Sequence, residues 1–162
     1  MTILSMLRYH SMEKEKDALD WSKSFMYSLH QTYFLTQKRL EQKLVAAKGI
    51  SFSQFLILLG IHCNKKEPSQ TAIADFLYLT EATVSRHVSA LEAEKYLTRK
   101  TDPTSRRRHI LAMTAKGSTA FSKAHAVIEK ELHETFSIIP AKHRGEISAA
   151  FETVIHKLLH KS

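Results

Sequence analysis

A single cysteine, Cys63, in 162 residues rules out an intrachain disulfide, and a chain held by burial alone suits a reducing interior. Tryptophan also occurs once, proline three times and glycine four times. So few chain breakers exclude collagen-like and low-complexity architectures and leave room for long helices. No apolar run approaches the ~20 residues that span a bilayer, so the chain is expected to be soluble and cytoplasmic, with no membrane partner. Met1 to Ser11 contains Ile3, Leu4, Met6 and Leu7 but has no basic start, long apolar stretch or small-residue cleavage site. It is expected to be an extension or arm rather than a secretory signal. The glycines Gly49, Gly60, Gly117 and Gly145 build no phosphate-cradling loop, and neither a metal motif nor a nucleophile elbow is present. Catalysis and a cofactor are therefore not expected. Ten histidines do not change this, because His62 beside Cys63, and His125 with His133, lack the tight spacing of a structural zinc site. Acid is the scarcer charge, 16 residues against 24 basic ones, giving +8 and favouring a polyanionic partner; an anionic membrane surface is the competing use of such charge.

At 43% hydrophobic and 25% charged residues, the chain has the make-up of one globular domain over residues 1–162. Residues 13–48 hold no proline or glycine, and Leu19, Met26, Leu29, Tyr33, Leu40 and Leu44 recur at helical spacings, which predicts a long amphipathic helix in one or two pieces. Gly49 ends it. Ser51 and Gln54 have the spacing of a capping box ahead of the apolar run Phe55 to Ile61, predicting a buried second helix. That run places Cys63 at its end as a buried, inert thiol. Pro68 and Ser69 open a third helix through Leu77. Thr114 caps a fifth, with a stripe of Phe121, Ala124, Val127, Ile128, Leu132 and Phe136, and Pro140 opens a sixth with Ile147, Phe151, Val154, Ile155, Leu158 and Leu159.

The informative stretch runs from Thr80 to Gly117. Thr80 is the expected N-cap of a fourth helix, and at ~100° per residue Val84, Val88 and Leu91 fall on one side while Ala82, Arg86, Ser89 and Ala93 fall on the other. One face packs, and the other carries small, polar and basic groups. Leu97 to Thr101 and Arg108 to Thr114 read as strands joined through Asp102-Pro103-Thr104-Ser105. Between residues 99 and 109 stand Arg99, Lys100, Arg106, Arg107 and Arg108 against one acid, Asp102. Two short helices joined by a tight turn and followed by a basic hairpin have the form of a nucleic-acid-binding unit.

In residue order the chain resembles the MarR family of winged helix-turn-helix regulators. The resemblance rests on Ser69-Gln70, Ile73-Ala74, Leu77, Thr83-Val84-Ser85-Arg86, Leu91-Glu92, Leu97, Arg99, Asp102-Pro103, Arg106-Arg107 and the run Leu111 to Gly117. It implies a mainly α fold with a small two- to three-stranded β-wing. Residues 51–114 would form the DNA-binding lobe, and residues 13–48 and 115–160 would form dimerisation helices. It also implies a homodimeric repressor of nearby genes, bound to a palindromic operator on double-stranded DNA and released by a small-molecule or redox signal. Thr83, Ser85, Arg86 and Ser89 would face the major groove; Arg106, Arg107 and Arg108 would supply the wing's contacts, an arginine entering the minor groove. Trp21, Tyr33, Phe34, Phe52 and Phe55 are candidates for an aromatic effector's cleft, against the simpler reading that aromatic residues at helical spacing form core. Cys63 is the redox candidate. The other functional class is a winged helix that docks a protein partner and binds DNA weakly or not at all.

Three residues depart from the family pattern. Tyr78 and Lys95 stand where glycine is usual, after the third helix and after the fourth, and Ser105 stands where an aspartate usually braces the wing arginine. A positive φ at Tyr78 or Lys95 would add strain of about 1 kcal/mol.

Overall fold

The computed structural model describes residues 21–47, 49–64, 68–102 and 105–160. The expected arm, the first helix before Trp21, Lys48, and Pro103 and Thr104 of the wing turn lie outside these residues. In chain order the elements are α1 (Trp21–Ala46), α2 (Phe52–Cys63), α3 (Gln70–Leu77), α4 (Glu81–Ala93), β1 (Leu97–Asp102), β2 (Ser105–Met113), α5 (Ala115–Phe136) and α6 (Ala141–Leu159). The fold is mainly α with one antiparallel β-hairpin, as the periodicities predict.

The chain divides into two compact units, residues 1–52 and 53–162. In the first, α1 is continuous across its described length and buries Leu40 and Leu44 near its C-terminal end. Its exit is fixed by Gly49 N–H donating to the Leu44 carbonyl at 3.0 Å and by Phe52 N–H donating to Glu41 Oε2 at 2.7 Å. Most large apolar side chains in its N-terminal half are exposed, among them Trp21, Met26, Tyr33 and Phe34.

In the second unit, Ile57, Leu58, Ile73, Val84, Val88, Leu91, Leu97 and Leu111 are at most 1% exposed. Each such side chain contributes about 1.5–3 kcal/mol of transfer free energy. Gly60 allows α2 and α3 to pack closely, since a Cβ there would lie 2.9 Å from Ile73 Cδ1. An aromatic cluster joins α2 to α5: Phe55 stacks on Phe121 with ring centres 5.4 Å apart, and His62 lies 4.8 Å from the same ring.

The hairpin pairs Leu97 with Met113 through Thr101 with His109, then shifts register so that Asp102 pairs with Ser105. Ser69 adds a single bridge to Ile110, and Leu111 N–H donates to the Pro68 carbonyl at 2.9 Å. The ladder corrects the expected start of β2, which begins at Ser105 instead of Arg108. The register shift lets pairing resume at Ser105, a residue the sequence assigns to the turn.

Burial overturns one further expectation and adds two observations. Cys63 is exposed, because α2 has emerged from the apolar run by its last residue. The α5 stripe ends before Phe136, which is exposed, while Glu131 is buried. The α6 stripe exists by spacing, yet none of its residues is buried among the described residues.

Candidate nucleic-acid interface

The arrangement of α4 follows from its two ends. Ser69 caps α3, accepting from Ala72 N–H at 3.1 Å, and α3 closes in a Schellman motif with Tyr78 N–H on the Asp75 carbonyl and Leu79 N–H on the Ala74 carbonyl. Tyr78 is left-handed there, φ 53° and ψ 38°. Two residues later Thr80 caps α4: its hydroxyl accepts from Thr83 N–H at 3.2 Å and lies 2.9 Å from the Thr83 hydroxyl. The tight turn between the helices is thus built from a left-handed tyrosine and a threonine cap.

At its other end α4 closes by the same motif, with Tyr96 N–H on the Leu91 carbonyl at 2.8 Å and Lys95 N–H on the Glu92 carbonyl at 2.9 Å. Lys95 takes the left-handed position, φ 62°. The run Thr114-Ala115-Lys116-Gly117 grips this exit. The Thr114 hydroxyl donates to the Lys95 carbonyl at 2.7 Å and accepts from Gly117 N–H at 3.0 Å, capping α5 as expected. Lys116 Nζ donates to the Glu94 carbonyl at 2.7 Å and sits 4.2 Å from the centre of the Tyr96 ring. A Cβ on Gly117 would stand 1.8 Å from the Tyr96 carbonyl oxygen, so only glycine admits this approach. These contacts hold a carbonyl-rich helix end with a cation, as its dipole favours.

Between those ends, Val84, Val88 and Leu91 are fully buried, whereas Arg86, Ser89 and the small residues Ala82, Ala90 and Ala93 are exposed. Thr83 and Ser85 are half-buried at the edge of the same helix. Arg106, Arg107 and Arg108 lie within β2, between the pairs Asp102–Ser105 and Thr101–His109 where the register shifts. Arg99 spans from β1 to α4: Nη2 donates to Ser89 Oγ at 3.3 Å and pairs with Glu92 Oε2 at 3.3 Å. The register between β1 and α4 creates that contact, and no local motif announces it. The Thr114 to Gly117 run, by contrast, is legible as a motif, although its grip on α4 is not.

The aromatic candidates have separate surroundings. On α1, Trp21, Tyr33 and Phe34 are 70%, 61% and 56% exposed, and Trp21 stacks on Phe25 at 5.1 Å. Phe52 is half-buried, and Phe55 is buried in the α2–α5 cluster.

A capped helix pair followed by a β-hairpin defines a winged helix-turn-helix. The sequence model of the MarR family matches residues 48–108, which span α2 to the arginine run of β2. Solved structures of MarR-type regulators share the fold over most of the chain. The transcriptional regulator BldR of Sulfolobus solfataricus is 20% identical with a TM-score of 0.77, covering 88% of this chain and 99% of its own. MepR of Staphylococcus aureus, solved in complex with DNA, is 19% identical with a TM-score of 0.75, covering 82% and 97%. BpsR of Bordetella bronchiseptica, whose DNA binding is regulated by 6-hydroxynicotinic acid, is 19% identical with a TM-score of 0.71, covering 80% and 97%. A comparison with curated proteins found no match. Residues 48–108 are thus similar to the MarR family, and the chain as a whole shares its fold with these solved regulators.

Proposed function

We propose that this protein is a sequence-specific, DNA-binding transcriptional regulator that acts as a homodimer. The observation that carries the reading is the exposed face of α4, where Arg86 stands among alanine and serine beside a hairpin carrying three consecutive arginines. Small side chains let a helix backbone approach base edges, and the arginines supply affinity for phosphate. In this reading Thr83, Ser85, Arg86 and Ser89 face the major groove, and Arg106, Arg107 and Arg108 serve the wing, Arg107 reaching into the minor groove. The exposed apolar side chains of α1 and α6 are the surfaces a second copy covers. Such a dimer reads an inverted repeat whose half-sites lie about one helical turn, ~10 bp, apart.

The protein is proposed to act as a repressor of adjacent genes, released when a small aromatic molecule favours a dimer whose two α4 helices no longer fit one face of DNA. The exposed aromatics of α1 support a ligand of that kind, as does the regulation of BpsR by 6-hydroxynicotinic acid. The exposed thiol of Cys63 offers an oxidant-sensitive alternative trigger.

Gel-shift titration against duplexes from the protein's own upstream region tests the DNA reading, with Arg86→Ala and Arg107→Ala run beside the wild type. The proposal expects Arg86→Ala to weaken binding by about 1–3 kcal/mol on the cognate site. Unchanged binding by both variants would remove the assignment of α4 and the wing as the DNA-facing surface.

A further inference from the structure

A guanidinium offers hydrogen-bond donors and no acceptor, whereas a serine hydroxyl has one hydrogen and two lone pairs. Arg99 Nη2 lies 3.3 Å from Ser89 Oγ, so the hydroxyl accepts from Arg99 and its own hydrogen is directed elsewhere. The same guanidinium is paired with Glu92, which fixes it from the second side and neutralises its charge. Arg99 is mostly covered, its side chain 23% exposed, while Ser89 is exposed on the face that carries Arg86.

We infer that Arg99 biases Ser89 toward donation, occupying one of its lone pairs and turning its hydrogen toward DNA, and so makes this serine a determinant of base preference. The inference rests on the proposed reading of α4 as the base-reading helix. Arg99 is a positioning residue in this scheme, because its charge is spent on Glu92 and its hydrogen bond on Ser89. A hydroxyl biased toward donation is best served by guanine N7 or O6, adenine N7 or thymine O4, and less well by the cytosine amino group, which has only the remaining lone pair to reach. A serine without such a neighbour can turn its hydroxyl to accept as readily as to donate, and so discriminates poorly. The operator should consequently disfavour cytosine at one base position in each half-site, at the place Ser89 faces.

The test is selection from a randomised duplex library, followed by relative affinities for single-base variants of the selected site. It compares wild type, Ser89→Ala and the double variant Glu92→Gln with Arg99→Met. The double variant removes the pair without changing net charge, and melting by circular dichroism checks that it is folded. Wild type should disfavour cytosine at one position per half-site by about 3- to 10-fold, the range of one net hydrogen bond. Both variants should lose that preference while keeping the rest of the motif, and the double variant should keep the wild-type salt dependence. A salt slope reduced by about one unit in the double variant would make Arg99 a phosphate contact and overturn the inference. An unchanged base preference in either variant would also overturn it, while leaving the regulator reading intact. A wild type that selects no sequence removes the regulator reading and, with it, the role of Ser89.

Discussion

Tyr78 and Lys95 hold the two left-handed positions that close α3 and α4, places where a Cβ crowds the backbone and glycine does not. Both side chains are exposed, Tyr78 at 73%, so little packing opposes their replacement. Tyr78→Gly and Lys95→Gly should therefore each stabilise the fold by up to about 1 kcal/mol, the relief of strain exceeding the added freedom of the unfolded chain. Denaturant midpoints rising at constant slope would show it, and falling midpoints would show that the tyrosine or lysine makes a compensating contact. Gly117 is the reverse case, since any Cβ meets the Tyr96 carbonyl, a backbone atom that cannot turn aside. Gly117→Ala should cost about 2–3 kcal/mol and loosen the exit of α4, seen as a lower melting temperature and faster amide exchange at Tyr96. Thr114→Val removes the α5 cap and the bond to the Lys95 carbonyl together, and should cost about 1–2 kcal/mol in the same assay.

At the scale of elements, α6 is the helix whose stripe finds no cover within the chain. Val154, Leu158 and Leu159 are 51%, 72% and 52% exposed, an apolar surface of the kind soluble proteins place in interfaces. Leu158→Glu should shift the protein from dimer to monomer in sedimentation velocity at micromolar concentration and leave the α3–α4 unit folded. A variant that remains dimeric would place the interface elsewhere. The helix starts were legible because Ser69, Thr80 and Thr114 each stand before a periodic run and each accepts the expected N–H three residues on. Periodicity equally revealed the stripe of α6, but spacing carries no information about what covers a stripe. The start of β2 was missed because charge runs read as solvated turns, while the backbone ladder is indifferent to charge once a bulge adjusts its register. The contacts of Arg99 are not legible in the sequence for a related reason. Its partners, Ser89 and Glu92, lie ten and seven residues away, and only packing of β1 beside α4 brings them to it.

For the molecule as a whole, half of the basic excess of +8 lies on the hairpin, where five basic residues stand against Asp102, while α4 itself carries Glu81 and Glu92 against Arg86. Under the proposed function, affinity and reading are thereby divided: the wing would supply attraction to any duplex, and the small face of α4 discrimination. Non-specific binding should weaken steeply with salt, whereas the ratio of specific to non-specific binding should change far less. The central claim is that this fold reads a symmetric DNA sequence as a dimer, and the most direct measurement is fluorescence anisotropy at physiological salt. The probe is the inverted repeat protected in the protein's own upstream region, titrated beside a scrambled duplex of equal composition. The account predicts one dimer per duplex and a preference of about 1,000-fold or more for the repeat. Equal affinity for the two duplexes, or saturation by a single chain, would contradict it.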